Sequence, residues 1–291
     1  MRLFPALGCA LVLVFVLSLA TTPGWRHETL TGLPSVLLYG GNWARAFGPF
    51  NSLGLLGHTW SLAVEEQFYL VWPFVCLLLI CRSTRRLRAA AVVATLAVLD
   101  CAYLLFAMAH WGEQQGFFRT DTHSMGLLAG AALALVIGGP SPTLRLSERG
   151  AWMLRRLAVM ATAIIAFLAL LQPKTPPQQG IMIITATGAT VALVARLVLD
   201  GAGRLARLFG SRPARWVGRR SYGIYLYHFP IAVVFVQQRG LHGLAYAAAV
   251  VGCLTASIGL AALSYRFVEA PFLRLKARFT TKTPVPSLQR V

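Results

Sequence analysis

Apolar residues in this chain gather in long runs, separated by segments rich in Arg, Pro and Gly. Crossing a bilayer as a helix takes about 20 predominantly apolar residues, with a range of about 17 to 25. Eight runs reach or approach that length, at roughly 4–21, 60–81, 89–109, 121–138, 152–171, 180–199, 221–238 and 244–267. None alternates residue by residue like a barrel strand. Hydrocarbon offers backbone N–H and C=O groups no water, so each run predicts a helix. The segments between them read as loops. With no internal repeat and no second domain, residues 1–291 predict one all-α unit, a polytopic membrane helical bundle of about eight spans.

Composition supports that class. The chain is 57% hydrophobic and only 12% charged, against about 25% charged in soluble domains. Its mean hydropathy is +0.64. A soluble globular enzyme, a disordered chain and a collagen-like fibre are excluded on these grounds. The five cysteines (Cys9, Cys76, Cys81, Cys101 and Cys253) show no CxxC or metal-ligand spacing. They read as small buried hydrophobes, and no metal site is expected.

Charge changes the picture again. The 27 Lys and Arg against 9 Asp and Glu give +18, which on a soluble chain would suggest nucleic acid. Assigning the loops alternately to two membrane faces puts 22 of these cations on one face and 5 on the other. Positive residues resist translocation, so the richer face is cytoplasmic and both termini lie there, as in a multi-pass inner-membrane protein. The lipid bilayer becomes the expected partner, and nucleic acid does not. Residues 1–20 carry a second reading: Arg2, an apolar run and Ser18-Leu19-Ala20 match a cleavable signal peptide.

Ionisable side chains inside spanning helices cost about 2.5–3.5 kcal/mol on insertion scales and usually face protein or a cavity. The densest case is His58-Thr59-Trp60-Ser61-Leu62-Ala63-Val64-Glu65-Glu66-Gln67-Phe68-Tyr69. His58 and Glu65 are seven residues apart, about two turns, and share a face if the helix begins near His58. Such a pair can take a proton from a hydroxyl, or simply tie helices together. Thr120-Asp121-Thr122-His123 opens the fourth run, where Asp121 or Thr120 can serve as an N-cap. The seventh run begins Gly218-Arg219-Arg220-Ser221-Tyr222-Gly223 and places His228 about 12 Å beyond Arg220. A lone histidine there is more often a helix–helix hydrogen-bonding group than a catalyst. The tail Tyr265-Arg266-Phe267-Val268-Glu269-Ala270-Pro271-Phe272 reads as an exposed Arg–Glu pair before a helix-ending proline.

The segment 58–69 resembles the signature of the acyltransferase-3 family of integral-membrane O-acyltransferases. Three further stretches resemble family blocks in the family's order: 119–128 its Thr-Asp-x-Arg block, 218–230 the Ser-Tyr block near its end, and Glu269-Ala270-Pro271-Phe272 its closing Glu-x-Pro. Arg2-Leu3-Phe4-Pro5 resembles the end of the basic entry to its third helix. The resemblance implies about ten helices and transfer of an acyl group, often acetyl, from cytoplasmic acyl-CoA. The acceptor it implies is a hydroxyl of a cell-envelope glycan such as lipopolysaccharide or exopolysaccharide, or of a similar sugar-containing molecule.

The resemblance implies roles residue by residue. Glu65 and His58 are the catalytic candidates. Trp60, Ser61, Asp121, His123, Tyr222 and His228 are candidates for substrate binding. Arg2, Arg219 and Arg220 are candidates for the CoA phosphates, although the same cations also satisfy the positive-inside rule. Acyl-CoA is thus a co-substrate, and no permanently bound cofactor is expected. Two departures stand out. His123 occupies the position where the family commonly has Arg. The family's first helix carries an Arg, ten residues and then a His taken as the catalytic base, which Glu65 would orient or charge-balance and for which His58 could substitute. No Arg here is followed by His eleven positions later. The expectation is a chain starting at the family's third helix. A transporter or flippase with intramembrane proton relays, and an inactive acyltransferase fragment, are the readings from other classes.

Overall fold

A computed structural model describes residues 3–48, 53–82, 86–138, 147–199 and 203–279. Among them there is no strand. Thirteen α-helices follow in order: α1 Leu3–Ser18, α2 Pro23–Leu37, α3 Gly41–Phe47, α4 Trp60–Arg82, α5 Arg86–His110, α6 Gly112–Phe117, α7 Met125–Ile137, α8 Glu148–Leu168, α9 Pro176–Leu199, α10 Gly203–Phe209, α11 Arg212–Phe235, α12 Gly243–Ser264 and α13 Ala270–Phe279.

Each of the eight apolar runs falls on one of these helices. Among the described residues, five stretches are long and apolar enough to cross a membrane: Gly54–Leu78, Arg86–His110, Glu148–Leu168, Pro176–Leu199 and Gly243–Leu275. Pro5–Ser18 and Met125–Ile137 are shorter apolar helices. The protein is a multi-pass membrane protein. Loops were expected over 22–59, and here the structure differs: α2 and α3 occupy most of that stretch. Its polar residues masked the helices, because a hydropathy search sees only helices that lipid selects.

The chain forms two compact units, one of Met1–His27 with Arg212–Val291 and one of Glu28–Ser211. In the second unit α5 is the central element, packing against α6, α7 and α9, while α8 packs on α9. Leu104, Met108 and Met125 form a buried apolar cluster, backed by Cys101, Phe117, Ile183 and Ile184. α6 lies so close to α5 that a Cβ on Gly116 would sit 2.8 Å from the Met108 nitrogen. A turn with 3₁₀ hydrogen bonding, Gly54–Thr59, leads into α4, and all six of its residues are buried. It is entered through Leu53 in a left-handed conformation, φ 57°, which costs a non-glycine residue about 1–2 kcal/mol. Complete burial of the Leu53 side chain offsets that cost.

In the first unit α11 packs against α12 and α1. A Cβ on Gly223 of α11 would lie 3.0 Å from the Ala261 Cβ, so glycine sets the helix separation. α12 passes through a π-helical turn, Tyr265–Glu269, directly into α13. The tail reading is corrected here. Pro271 does not end the helix: it follows just after the π-turn, and the helical path runs on to Phe279. Glu269 is only 1% exposed. The π-turn rotates Glu269 inward while Arg266 stays at the surface, so the two are not an exposed pair.

Candidate active site

α4 begins at Trp60, and its first two turns carry Ser61, Val64 and Glu65 at helical spacing. These three side chains form one wall of a cavity of about 250 Å³. The facing wall comes from His123, Met125 and Gly126, where a turn runs into α7, and α9 contributes Thr187. A carboxylate, an imidazole and two hydroxyls therefore line one cavity. That set can accept a proton from a bound hydroxyl and donate hydrogen bonds to a developing oxyanion. A longer apolar groove of about 620 Å³ between α5, α7 and α9 reaches the same Met125 and Thr187.

Trp60 supports the cavity from behind. Its ring meets His123 edge-on at 4.8 Å and packs against Phe117 at 4.9 Å and Phe118 at 5.2 Å. His123 is thus held among three aromatic rings, those of Trp60, Phe117 and the neighbouring Phe118 that packs on both.

The turn that presents His123 is fixed by a hydrogen-bonded cluster. Gln67 of α4 donates through Nε2 to the Tyr39 carbonyl at 2.6 Å and to Asn42 Oδ1 at 2.9 Å. Its Oε1 accepts from Trp43 Nε1 at 3.2 Å and from the Thr120 hydroxyl. Asn42 Nδ2 donates to Thr120 Oγ1 at 2.8 Å, and Asn42 is fully buried. Asn42, Gln67 and Thr120 therefore close a ring joining α3, α4 and the His123 turn. Thr120 is not the cap of α7, and neither is Asp121, which correct the N-cap reading. The residue in the N-cap position is Ser124.

Asp121 is engaged elsewhere. Arg119 donates to it through Nε at 2.9 Å and through Nη2 at 2.5 Å, and also donates to the Tyr103 hydroxyl at 3.2 Å. The same guanidinium sits near the rings of Trp111 (4.7 Å), Phe47 (5.5 Å), Trp43 and Tyr103 (both 5.9 Å). The Asp121 hydrogen bond raises the Arg119 pKa above its usual value, against the opposing effect of burial. Arg45 stacks on Phe118 at 3.9 Å and donates to the Gly57 carbonyl at 2.7 Å, pinning the turn that carries His58. Burial pulls the Arg45 guanidinium below its usual range.

The structure thus brings Ser61, Glu65 and His123 to one cavity, with Trp60 packed on His123. Asp121 and His58 are not among the cavity walls. The shared-face argument for His58 and Glu65 fails because the helix starts at Trp60 and His58 lies on the preceding 3₁₀ turn, where α-helical spacing does not apply.

Tyr222, His228, Arg219 and Arg220 all lie on α11 in the other compact unit. His228 Nδ1 lies 2.6 Å from the Tyr225 carbonyl one turn back. Arg220 is half-buried, between the rings of Trp216 at 4.1 Å and Tyr265 at 4.6 Å, and donates to the Trp216 carbonyl. Arg219 is exposed. Arg2 lies outside the described residues. Among the described residues, no three His, Cys, Asp or Glu converge as a metal site.

Sequence reasoning did not single out Asn42, Gln67 and Asp100. Asp100 is the only charged residue in the run 89–109, and by itself that was a sufficient signal. Gln67 lay within the quoted block beside two glutamates that drew attention first. Asn42 lay in a segment expected to be loop.

Comparison with known proteins adds an independent line. A family profile described as an acyltransferase domain matches residues 1–266. The YrhL protein of Bacillus subtilis is 32% identical over 252 residues, covering 81% of this chain and 38% of its own length. The peptidoglycan O-acetyltransferase OatA of Listeria monocytogenes is 28% identical, covering 93% of this chain and 44% of its own. The O-acetyltransferase OatA of Staphylococcus aureus is also 28% identical, at 93% and 45%. The chain spans less than half the length of these curated relatives. No solved structure matches. With the profile extending over nearly the whole chain, the protein belongs to the acyltransferase-3 family.

Proposed function

We propose that this chain is the membrane-embedded acyl-transfer part of an O-acetyltransferase acting on a cell-wall glycan. The donor in this reading is acetyl-CoA, and the acceptor is a sugar hydroxyl of peptidoglycan, the substrate class in the name of the Listeria relative. One observation carries the proposal: Glu65, Ser61, Thr187 and His123 line a single cavity in a member of an acyltransferase family.

The chemistry asks little of the protein beyond these groups. The acceptor hydroxyl loses its proton as its oxygen attacks the thioester carbonyl, and the CoA thiolate leaves and takes up a proton. Glu65 accepts the hydroxyl proton or charge-balances the imidazole that does. The hydroxyls of Ser61 and Thr187 donate to the oxyanion. The basic segments, Arg219 foremost because it is exposed, attract the CoA phosphates. Arg220 fits that role less well, since its guanidinium already lies between two rings. The charge asymmetry supports an inner-membrane placement with both termini cytoplasmic.

The test is transfer by the purified full-length chain in liposomes, given labelled acetyl-CoA and peptidoglycan fragments. Label appearing in ester linkage on the glycan supports the reading. Movement of a solute without acyl transfer would favour a transporter instead.

A further inference from the structure

The apolar groove beside the catalytic cavity has a direction. Its α5 and α7 walls run antiparallel. At one end the Cys101 thiol meets the Met125 sulfur at 3.4 Å, and at the other Arg86 Nη2 donates to the Ala134 carbonyl at 3.4 Å. Along α7 the lining extends from Met125 to Val136, about 17 Å at helical rise. A linear chain of about 13 carbons has that length at standard bond lengths and angles. Ala90, Ala91, Ala94 and Ala97 form much of the α5 wall, and their small side chains leave the volume of about 620 Å³ open.

The polar atoms gather at one end. Among the described lining residues, the side chains with a heteroatom are Cys101, Met125 and Thr187, and Met125 and Thr187 also line the catalytic cavity. An acyl chain fits that gradient, with its carbonyl in the cavity and its methylenes among the aliphatic side chains beyond. The amide-bearing arm of CoA does not fit it, because each buried amide would lack a partner.

Met125 stands at the junction. It is 2% exposed and packs with Leu104 and Met108. Beside it α7 and α9 come together, so that a Cβ on Gly126 would lie 4.0 Å from Thr187 Cγ2. The cavity on the Glu65 side holds about 250 Å³, below the roughly 300–1,000 Å³ of sites for drug-sized ligands. That space matches a short acyl group beside an acceptor hydroxyl.

We infer that Met125 sets the acyl-chain length of the transfer, and that the groove behind it is a subsite for a linear donor acyl chain, opened when this side chain is shortened. That role rests on the acyl-transfer reading and names the specificity of the same site. The step itself is the same for every chain length. The acceptor oxygen bonds to the acyl carbon, the C–S bond of the CoA thioester breaks, and the hydroxyl proton passes by way of the base to the leaving thiolate.

The test uses the full chain in liposomes with acetyl-CoA and octanoyl-CoA as donors. It compares the parent, Met125→Ala, and Met125→Ala combined with Ala94→Trp, at matched folded protein. One methylene in an apolar pocket changes specificity by about 10–200-fold, so Met125→Ala should raise the octanoyl-to-acetyl ratio of kcat/KM by about tenfold or more. Ala94 is an exposed residue of the groove wall, and the added indole should return the ratio to within about threefold of the parent's. An unchanged ratio in Met125→Ala overturns the inference, as does a raised ratio that the indole leaves intact. Octanoyl transfer by the parent as fast as acetyl transfer also overturns it. Should Met125→Ala fail to fold, Met125→Val removes less packing and faces the same criterion.

Octanoyl-CoA with a diazirine at the far end of its chain gives a reading in detergent that needs no turnover. Label in the peptide 90–98 of Met125→Ala, absent from the parent, supports the subsite. Label only elsewhere overturns it, and loss of the label to added phospholipid marks a lipid-tail site instead and overturns it too. If the parent transfers no acyl group, the functional reading fails and the labelling alone decides the subsite.

Discussion

Asn42 donates a 2.8 Å hydrogen bond to the hydroxyl of Thr120, 78 residues away in sequence. Gln67 binds both and closes the ring. Each member satisfies two others, so truncating one leaves buried polar atoms without partners. Asn42→Ala and Gln67→Leu should each cost about 2–4 kcal/mol of stability, more than the net worth of the bonds removed. Thermal unfolding in detergent measures this, and a loss below about 0.5 kcal/mol would show that the ring does not hold the turn.

Arg119 and Asp121 should respond unequally to mutation. Asp121 is 45% exposed, so Asp121→Asn should change stability by about 0–1 kcal/mol, as for a surface pair. Arg119→Leu removes a cation shared among four rings and should cost about 1–3 kcal/mol. Equal effects of the two substitutions would mean that the ion pair, not the aromatic surround, fixes this corner.

His58 was an attractive base in the sequence, yet it is buried in a 3₁₀ turn beside Thr59, whose hydroxyl donates to the Leu56 carbonyl. His58→Ala is therefore predicted to lower the folded yield while the rate per folded molecule stays within about threefold. A fall of about a hundredfold in the rate of a stably folded variant would return His58 to the chemistry.

The helices that lipid selects were legible from the sequence because about 20 apolar residues in a row permit little else. What hydropathy missed was α2, α3, α6, α10 and α13, helices too short or too polar for transfer energy to select. The same distinction explains the site. Glu65 announced itself as a carboxylate in an apolar run, and so did Asp100, which went unremarked. Asn42 has no local sequence signal at all, since its meaning comes from Thr120 and Gln67 across the fold. The buried Glu269 was misread because a π-turn, with its altered residue angle, cannot be seen in a periodicity count.

The two neighbouring arginines of α11 should separate cleanly. Arg219→Ala should raise KM for acetyl-CoA, by a factor that shrinks as salt rises, because an exposed cation acts through a screened charge. Arg220→Ala should lower stability instead, since it removes a guanidinium stacked between Trp216 and Tyr265. Donor KM values at two ionic strengths, with melting temperatures, test both. A salt-independent KM in Arg219→Ala would contradict the assignment.

The central claim is that the Glu65 carboxylate in the cavity shared with Ser61 and His123 carries acyl transfer. The most direct measurement compares single-turnover acetyl transfer by the parent, Glu65→Gln and Glu66→Gln in liposomes at matched folded protein. Glu65→Gln preserves shape and removes the charge, so the account predicts a fall of about a hundredfold or more, in the range lost with a general base. Glu66 is not a cavity wall residue, and its variant should stay within about threefold of the parent. Parental rates in Glu65→Gln, or the large loss falling on Glu66→Gln instead, would contradict the account.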